Sequence, residues 1–270
     1  MPDILSAGFV AEMSETMTNM YRLGWDERNG GNISFLLDEH EVSSYLDTER
    51  VIREIPLGFN CAALAGRYFI VTGTGKYFKN AQKDPEDCLG IIRISNDGCS
   101  AGLLWGYNGG SVTSELPTHL MSHIARLDTE AGNRVILHCH PVNTLAMTIV
   151  HEVDEKSLSR ALWGMCSECI IVFPDGVGIL PWMVCGNAVI GEATAEKMKD
   201  FRIVCWCLHG IYGAGKDLDE AFGLVETVEK AAQIYMLTRG MVHKNSITDS
   251  QLAELAEAYG VNYRRDFLNL

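Results

Sequence analysis

Proline and positive charge are both scarce in this 270-residue chain, which has 7 prolines and 22 Lys and Arg against 35 Asp and Glu. So little proline beside 47% apolar residues excludes collagen-like and disordered classes. The net charge of −13, with no Lys/Arg-rich run, argues against nucleic acid and anionic membrane as partners, because few cations are available to neutralise phosphates. An anionic small ligand would have to be held by backbone N–H groups, hydroxyls or a metal cation. Long hydrophobic runs are missing as well, since no uncharged apolar stretch approaches the roughly 18 residues of a membrane span. The first residues lack a basic leader and interrupt their apolar positions with Asp3, Glu12 and Glu15, unlike a secretory signal. A cytoplasmic protein is expected, and its nine cysteines, odd in number and without framework spacing, read as reduced thiols.

What is present is an alternation of helical and strand-like periods. Ile4, Phe9, Val10, Met13, Met17 and Met20 form one face of an opening helix that ends near Gly24. A turn cluster, Trp25–Asn32, leads into the strand Ile33–Leu37. Further strands are expected at Tyr68–Thr72, Leu89–Ile94, Val135–His138, Cys169–Phe173 and Ile203–Leu208, and helices at Glu115–Leu127, Ala188–Met198 and Leu218–Leu237. Such alternation suggests an α/β layered domain in which helices cover a central sheet. No repeat or Pro/Ser-rich linker divides the chain, so residues 1–270 are read as a single domain, with the polar stretch His40–Pro56 as a surface excursion.

The candidate chemistry begins where the strand Val135–His138 runs into His140. Side chains at i and i+2 of a strand share a face, so His138 and His140 can converge while Cys139 turns away. A His-x-His pair would arise by chance in about a quarter of chains with this composition, so the pair alone decides little. His209-Gly210 places a third imidazole at the end of another apolar strand. Three imidazoles with one open position suit a catalytic zinc better than a structural one; the plain alternative for His209 is a buried carbonyl partner. His119 and His123 share a helix face at i, i+4, a spacing that fits packing or support better than a metal pair. Cys166, Cys169, Cys205 and Cys207 could make a thiolate site, but they read better as small buried hydrophobes.

Thr113-Ser114-Glu115-Leu116-Pro117 reads first as a helix N-terminus with a hydroxyl cap and an acidic first turn. The functional alternative makes its N–H groups and hydroxyls an anion site, with Glu115 a general base beside the metal. Asn29-Gly30-Gly31-Asn32 and Thr72-Gly73-Thr74-Gly75-Lys76 could complete an anion cradle, and the second lacks the spacing of a nucleotide-binding phosphate loop.

Taken together, Asn29-Gly-Gly-Asn32, Thr72-Gly-Thr-Gly75, Ser114-Glu115, His138-Cys-His140 and His209-Gly210 resemble the class II aldolase/epimerase family of zinc enzymes acting on sugar phosphates. The likeness runs essentially end to end. Gly24–Asn32, Thr113–Pro117, Phe173–Met183 and Asp219–Leu224 look like the branch that cleaves L-rhamnulose 1-phosphate to dihydroxyacetone phosphate and L-lactaldehyde. Thr74, standing where serine is expected, is a peripheral difference. The resemblance implies a three-layer α/β fold with a mostly antiparallel or mixed central sheet. It implies one Zn²⁺ per subunit on His138, His140 and His209, stabilising an enediolate, with Glu115 handling the proton at the released carbon. Asn32, Thr74, Gly75, Thr113 and Ser114 would hold the phosphate, with Asn29 nearby. Glu168 would reach the site of a neighbouring subunit in a homotetramer and assist at the aldehyde oxygen; without the resemblance it reads as a surface carboxylate. Fuculose-1-phosphate cleavage and pentulose-phosphate 4-epimerisation are the alternatives within the family. A non-catalytic scaffold on the same fold is disfavoured by the presence of all three histidines.

Overall fold

The computed structural model describes residues 1–270. Its frame is a nine-stranded sheet of β1 (Asn32–Leu37), β2 (Arg53–Pro56), β3 (Tyr68–Thr72), β4 (Leu89–Ile94), β5 (Ser100–Gly106), β6 (Val135–Cys139), β7 (Gly178–Leu180), β8 (Ile203–Trp206) and β9 (Gly210–Gly215). The strand order is β2-β5-β4-β3-β1-β6-β9-β8-β7, and every neighbouring pair is antiparallel except β7–β8. The sheet is therefore mixed and mostly antiparallel, as the resemblance implies.

Ten helices cover it: α1 (Gly8–Arg22), α2 (Glu39–Ser43), α3 (Pro85–Cys88), α4 (Leu116–Thr129), α5 (Val142–Val150), α6 (Glu155–Trp163), α7 (Glu168–Val172), α8 (Ala188–Met198), α9 (Leu218–Thr238) and α10 (Asp249–Ala258). Period-two alternation sorts the strand residues between two faces. Ile33, Phe35, Val135, Leu137, Cys139 and Ile211 enter the largest core with the buried stripe of α1 and with α9. Leu36 and Ile136 turn the other way, into two smaller cores beneath α4 and α8. Each helix layer thus seals one face, and the site forms under α4.

Two expected elements come out differently. Cys169–Phe173 is helical, lying almost wholly in α7. A five-residue apolar run does not distinguish strand from helix by period; a helical turn buries Cys169, Ile170 and Phe173 together, and Pro174 ends it. The strand expected at Ile203–Leu208 stops at Trp206, because Cys207, Leu208 and His209 turn the chain back into β9. Strands β2, β5, β7 and β9 give little apolar signal. In β9, glycine answers a close approach: a Cβ on Gly215 would lie 2.6 Å from the backbone nitrogen of Ala221, and one on Gly213 would lie 3.1 Å from the Ala221 carbonyl oxygen.

Gly215→Ala is expected to lower the free energy of unfolding by about 1–3 kcal/mol, the usual cost of overpacking, read from a urea titration. An unchanged midpoint would show that α9 does not need this close seat.

Candidate active site

Register builds the site. On the face beneath α4, Asn32 of β1 lies opposite His138 of β6, and His138 lies opposite Tyr212 of β9, so three polar side chains form a row across adjacent strands. All three are buried. Glu115 caps α4 above this row, and its carboxylate is also buried. Oε2 accepts from Asn32 Nδ2 at 2.9 Å and from the Tyr212 hydroxyl at 2.6 Å, and lies 3.6 Å from His138 Nε2. Burial and the neighbouring carboxylate push the Tyr212 phenol well above its ordinary range, so it stays a donor. Oε1 faces His209 Nε2 at 3.9 Å.

The three imidazoles converge. His138 Nε2 and His140 Nε2 are 3.3 Å apart, and ligand nitrogens of His138, His140 and His209 all lie within 4.8 Å of one another. His138 Nδ1–H donates to the Ile211 carbonyl at 3.0 Å, and His140 Nδ1–H donates to Glu27 Oε1 at 2.9 Å. These partners fix the tautomers and leave both Nε2 lone pairs directed at each other. Burial holds His138 well below the usual histidine range and lowers His209 too, which keeps both neutral. Lone pairs held this close repel unless a cation lies among them, so the donor set fits a divalent metal with His-rich coordination.

Glycines let the backbone press against these rings. A Cβ on Gly210 would lie 2.4 Å from the Cys139 carbonyl oxygen and 2.7 Å from the His140 ring, and one on Gly30 would lie 2.8 Å from the same ring. Leu208 bends the β8–β9 turn through a left-handed conformation, φ 62°, and its N–H is tied to Thr148 Oγ1 at 3.0 Å. The Asn29–Asn32 loop is anchored by Gly31 N–H donating to buried Asp26 Oδ1 at 2.6 Å.

The anion-loop candidates sit at the edge of this cluster. An isolated bridge between Gly73 and Val112 joins their two loops, and Thr113 N–H donates to the Thr72 carbonyl at 3.1 Å. Thr74, Gly75 and Ser114 are exposed there, with Gly75 at φ 71°, while Thr113 is buried and its Oγ1 accepts the Glu115 N–H. Asn29 is exposed in its loop. Asn32 adjoins them, since the N–H of the next residue, Ile33, donates to Thr72 Oγ1 at 3.1 Å, but its amide is engaged by Glu115 and by His119. Glu168 begins α7, is exposed, accepts from the Cys166 thiol at 2.6 Å, and makes no contact with Glu115 or the three histidines.

Sequence reasoning missed Glu27, Asp26 and Tyr212. Glu27 and Asp26 lay inside the turn cluster already marked, but Tyr212 gave no signal without the register of β9. It also missed Cys185, whose sulfur shares a 4.8 Å neighbourhood with ligand atoms of Glu115 and His209. Cys169, Cys205 and Cys207 are buried in apolar surroundings, as small hydrophobes should be. A cavity of about 920 Å³ opens between α6, α9 and residues 241–249 and shares no residue with the cluster.

Residues 11–236 match the Class II Aldolase and Adducin N-terminal domain family. The chain belongs to this family. Within it, the chain is 56% identical to a protein of Listeria monocytogenes named rhamnulose-1-phosphate aldolase, over 99% of this chain and 98% of that protein. It is 54% identical to one of the same name from Enterococcus faecalis, over 98% and 96%. Among solved structures, a sugar-phosphate aldolase from Thermotoga maritima superposes with TM-score 0.75 at 29% identity, covering 87% of this chain and 97% of that one. An L-fuculose 1-phosphate aldolase superposes with TM-score 0.61 at 18% identity over 94% and 97%, which shows the shared fold of this class II aldolase family member.

Glu27→Ala frees the His140 ring and is expected to weaken metal affinity by about 10–100-fold, measured by competition with a chelator. Unchanged affinity would show that Glu27 does not orient the ring.

Proposed function

We propose that this chain, residues 1–270 acting as one domain, catalyses reversible retro-aldol cleavage of L-rhamnulose 1-phosphate to dihydroxyacetone phosphate and L-lactaldehyde. One Zn²⁺ per subunit would be held by His138, His140 and His209. The observation that carries this reading is the convergence of three imidazoles beside a buried carboxylate with one oxygen restrained and the other turned toward His209. The near end-to-end identity with proteins named for this activity supports the substrate.

When bound, the ion supplies positive charge at the ketose carbonyl and hydroxyl oxygens, which stabilises the electron pair left when C3 and C4 part. The remaining work belongs to the protein. As C3 and C4 part, the C4 hydroxyl passes its proton to the partner subunit's Glu168, which releases it to solvent, and C4 becomes the aldehyde carbon. The bonding pair stays with the dihydroxyacetone phosphate fragment, and Glu115, having taken up a proton from solvent, delivers it to C3. In the synthetic direction Glu115 removes that proton. Tyr212 and Asn32 hold its Oε2, so Oε1 is the oxygen free to exchange it.

Thr74, Gly75, Thr113 and Ser114, with Asn29 nearby, hold the phosphate by hydroxyls and backbone N–H groups rather than by net charge, as a chain of −13 requires. Asn32, also assigned to the phosphate from the resemblance, is better read as a partner of Glu115, on the evidence of its hydrogen bonds.

The proposal includes a cytoplasmic homotetramer with the site near a subunit interface, to which Glu168 of the partner subunit brings an acid for the aldehyde oxygen. Large apolar side chains exposed around the histidine loops support a covered surface here: Val142, Ile149, Trp182, Val184 and Leu208. All nine cysteines are unpaired, Cys99 and Cys185 exposed among them, which suits a reducing compartment.

The test is dihydroxyacetone phosphate release from L-rhamnulose 1-phosphate, with L-fuculose 1-phosphate in parallel, before and after chelation. L-rhamnulose 1-phosphate should be the better substrate, with activity lost on chelation and restored by Zn²⁺. Glu115→Ala should lower kcat by about 10²-fold or more with metal retained, whereas His209→Ala should lose metal and rate together. Full activity after exhaustive metal removal, or in Glu115→Ala, would overturn the mechanism.

A further inference from the structure

Glu115, His119 and His123 recur every four residues along α4, on the face turned to the sheet, and Asn32 and Ser34 alternate at i, i+2 on the β1 face below. The two sets interlock. Asn32 bonds Glu115 through Nδ2 and His119 Nε2 through Oδ1. Ser34 Oγ bonds His119 Nδ1 at 2.7 Å and His123 Nε2 at 2.8 Å. Asn32 and Glu115 are nearly buried, and Ser34, His119 and His123 have no exposed surface at all.

We propose that His119 and Ser34 are positioning residues for Glu115: a buried polar zipper between β1 and α4 locks the Asn32 amide so that it always offers its N–H to the carboxylate. The proposal rests on the reading of Glu115 as the base.

Donor and acceptor accounting gives the zipper one polarity. A carboxylate only accepts, so Asn32 must present Nδ2 to Glu115 and Oδ1 to His119. His119 Nε2 therefore carries the hydrogen, leaving Nδ1 bare to accept from the Ser34 hydroxyl. Ser34 oxygen in turn accepts from His123 Nε2–H. Burial pushes the two imidazoles down to about 4 and about 3, so each is neutral and has the single N–H that this scheme needs. Turning the Asn32 amide over would set Oδ1 against the carboxylate and two N–H groups against each other. Without His119 the amide could turn or drift, and Glu115 would lose a donor that keeps Oε2 occupied and Oε1 turned toward His209.

A proton wire is the other role such a chain could have, but it has no exit. His123 Nδ1 has no hydrogen-bond partner, and the ring packs on Phe69 with centroids 4.9 Å apart. Apolar residues would fill a helix–sheet interface with less desolvation cost than two histidines and a serine. Orientation is what the polar residues add.

The experiment measures kcat and KM for L-rhamnulose 1-phosphate, metal content and melting temperature in Ser34→Ala, His119→Leu and His119→Gln, with Glu115→Ala alongside. Ser34→Ala and His119→Leu should lower kcat by about 3–30-fold with KM within about twofold and metal at one equivalent, as expected for lost transition-state positioning. His119→Gln, whose amide can donate to Asn32 Oδ1 and accept from Ser34, should recover most of kcat. The Ser34→Ala/His119→Leu double variant should be no slower than His119→Leu, because both break one chain. Unchanged kcat in Ser34→Ala and His119→Leu, with only the melting temperature lowered, would overturn the proposal and leave a purely structural zipper. Should His119→Leu fail to fold, Ser34→Ala and His119→Gln decide: wild-type kcat in the first, or loss of kcat in both, contradicts it. An active Glu115→Ala would instead overturn the base assignment beneath it, and an inactive one with unimpaired zipper variants removes the zipper alone.

Discussion

The structure depends on a register: β1, β6 and β9 are paired so that Asn32, His138 and Tyr212 fall side by side on one face of the sheet. A slip of one residue in any of these strands would turn its polar member into the opposite core and bring an apolar side chain beneath α4. That core, shared by α1 and α9, is the largest in the molecule and fixes the register from below, through Ile33, Leu137 and Ile211. The packing of one face thus specifies the chemistry of the other. Glu115 adds the last constraint, because a buried carboxylate needs donors, and Asn32 and Tyr212 are the two that the register supplies.

The histidines are held by a different means. His138 belongs to the rigid sheet, but His140 and His209 lie on loops, and each loop is pinned by short-range contacts. Glu27 and the Gly30 backbone hold the His140 ring, while Gly210 lets the β8–β9 turn close against both His138 and His140. Converging imidazoles, with the Nδ1 atoms of His138 and His140 tied to the Ile211 carbonyl and to Glu27, form a site whose electrostatics favour a cation, within a chain of net charge −13. On the proposed function, the anion of a sugar phosphate would depend on local dipoles, which the exposed hydroxyls and N–H groups around Thr74, Gly75 and Ser114 would supply.

Much of this was legible before the fold. His138 and His140 share a face for a reason visible in two-residue spacing, and the strands Tyr68–Thr72 and Leu89–Ile94 and the helix Ala188–Met198 follow their apolar periods. Glu115 could be marked as a helix start, and the resemblance to the class II aldolases gave it a role. What stayed hidden was pairing. Tyr212 sits in Gly-Ile-Tyr-Gly-Ala-Gly, too glycine-rich to read as a strand, because Gly213 and Gly215 make room for α9 and Gly210 for the histidine rings rather than follow a hydrophobic period. His119 and His123 were recognised as one helix face, yet their partner Ser34 is an unremarkable serine in an apolar strand until α4 is laid over it. Cys169–Phe173 shows the reverse limit, since a short apolar run has no period of its own.

The claim that the proposed function rests on is that a divalent ion is held where ring nitrogens of His138, His140 and His209 converge. Anomalous scattering from crystals of the zinc-loaded protein, recorded on both sides of the zinc edge, tests it most directly. The account predicts one edge-dependent peak per subunit, about 2.0–2.1 Å from the ring nitrogens of His138, His140 and His209. A peak at other residues, or none at full zinc occupancy in solution, would contradict it.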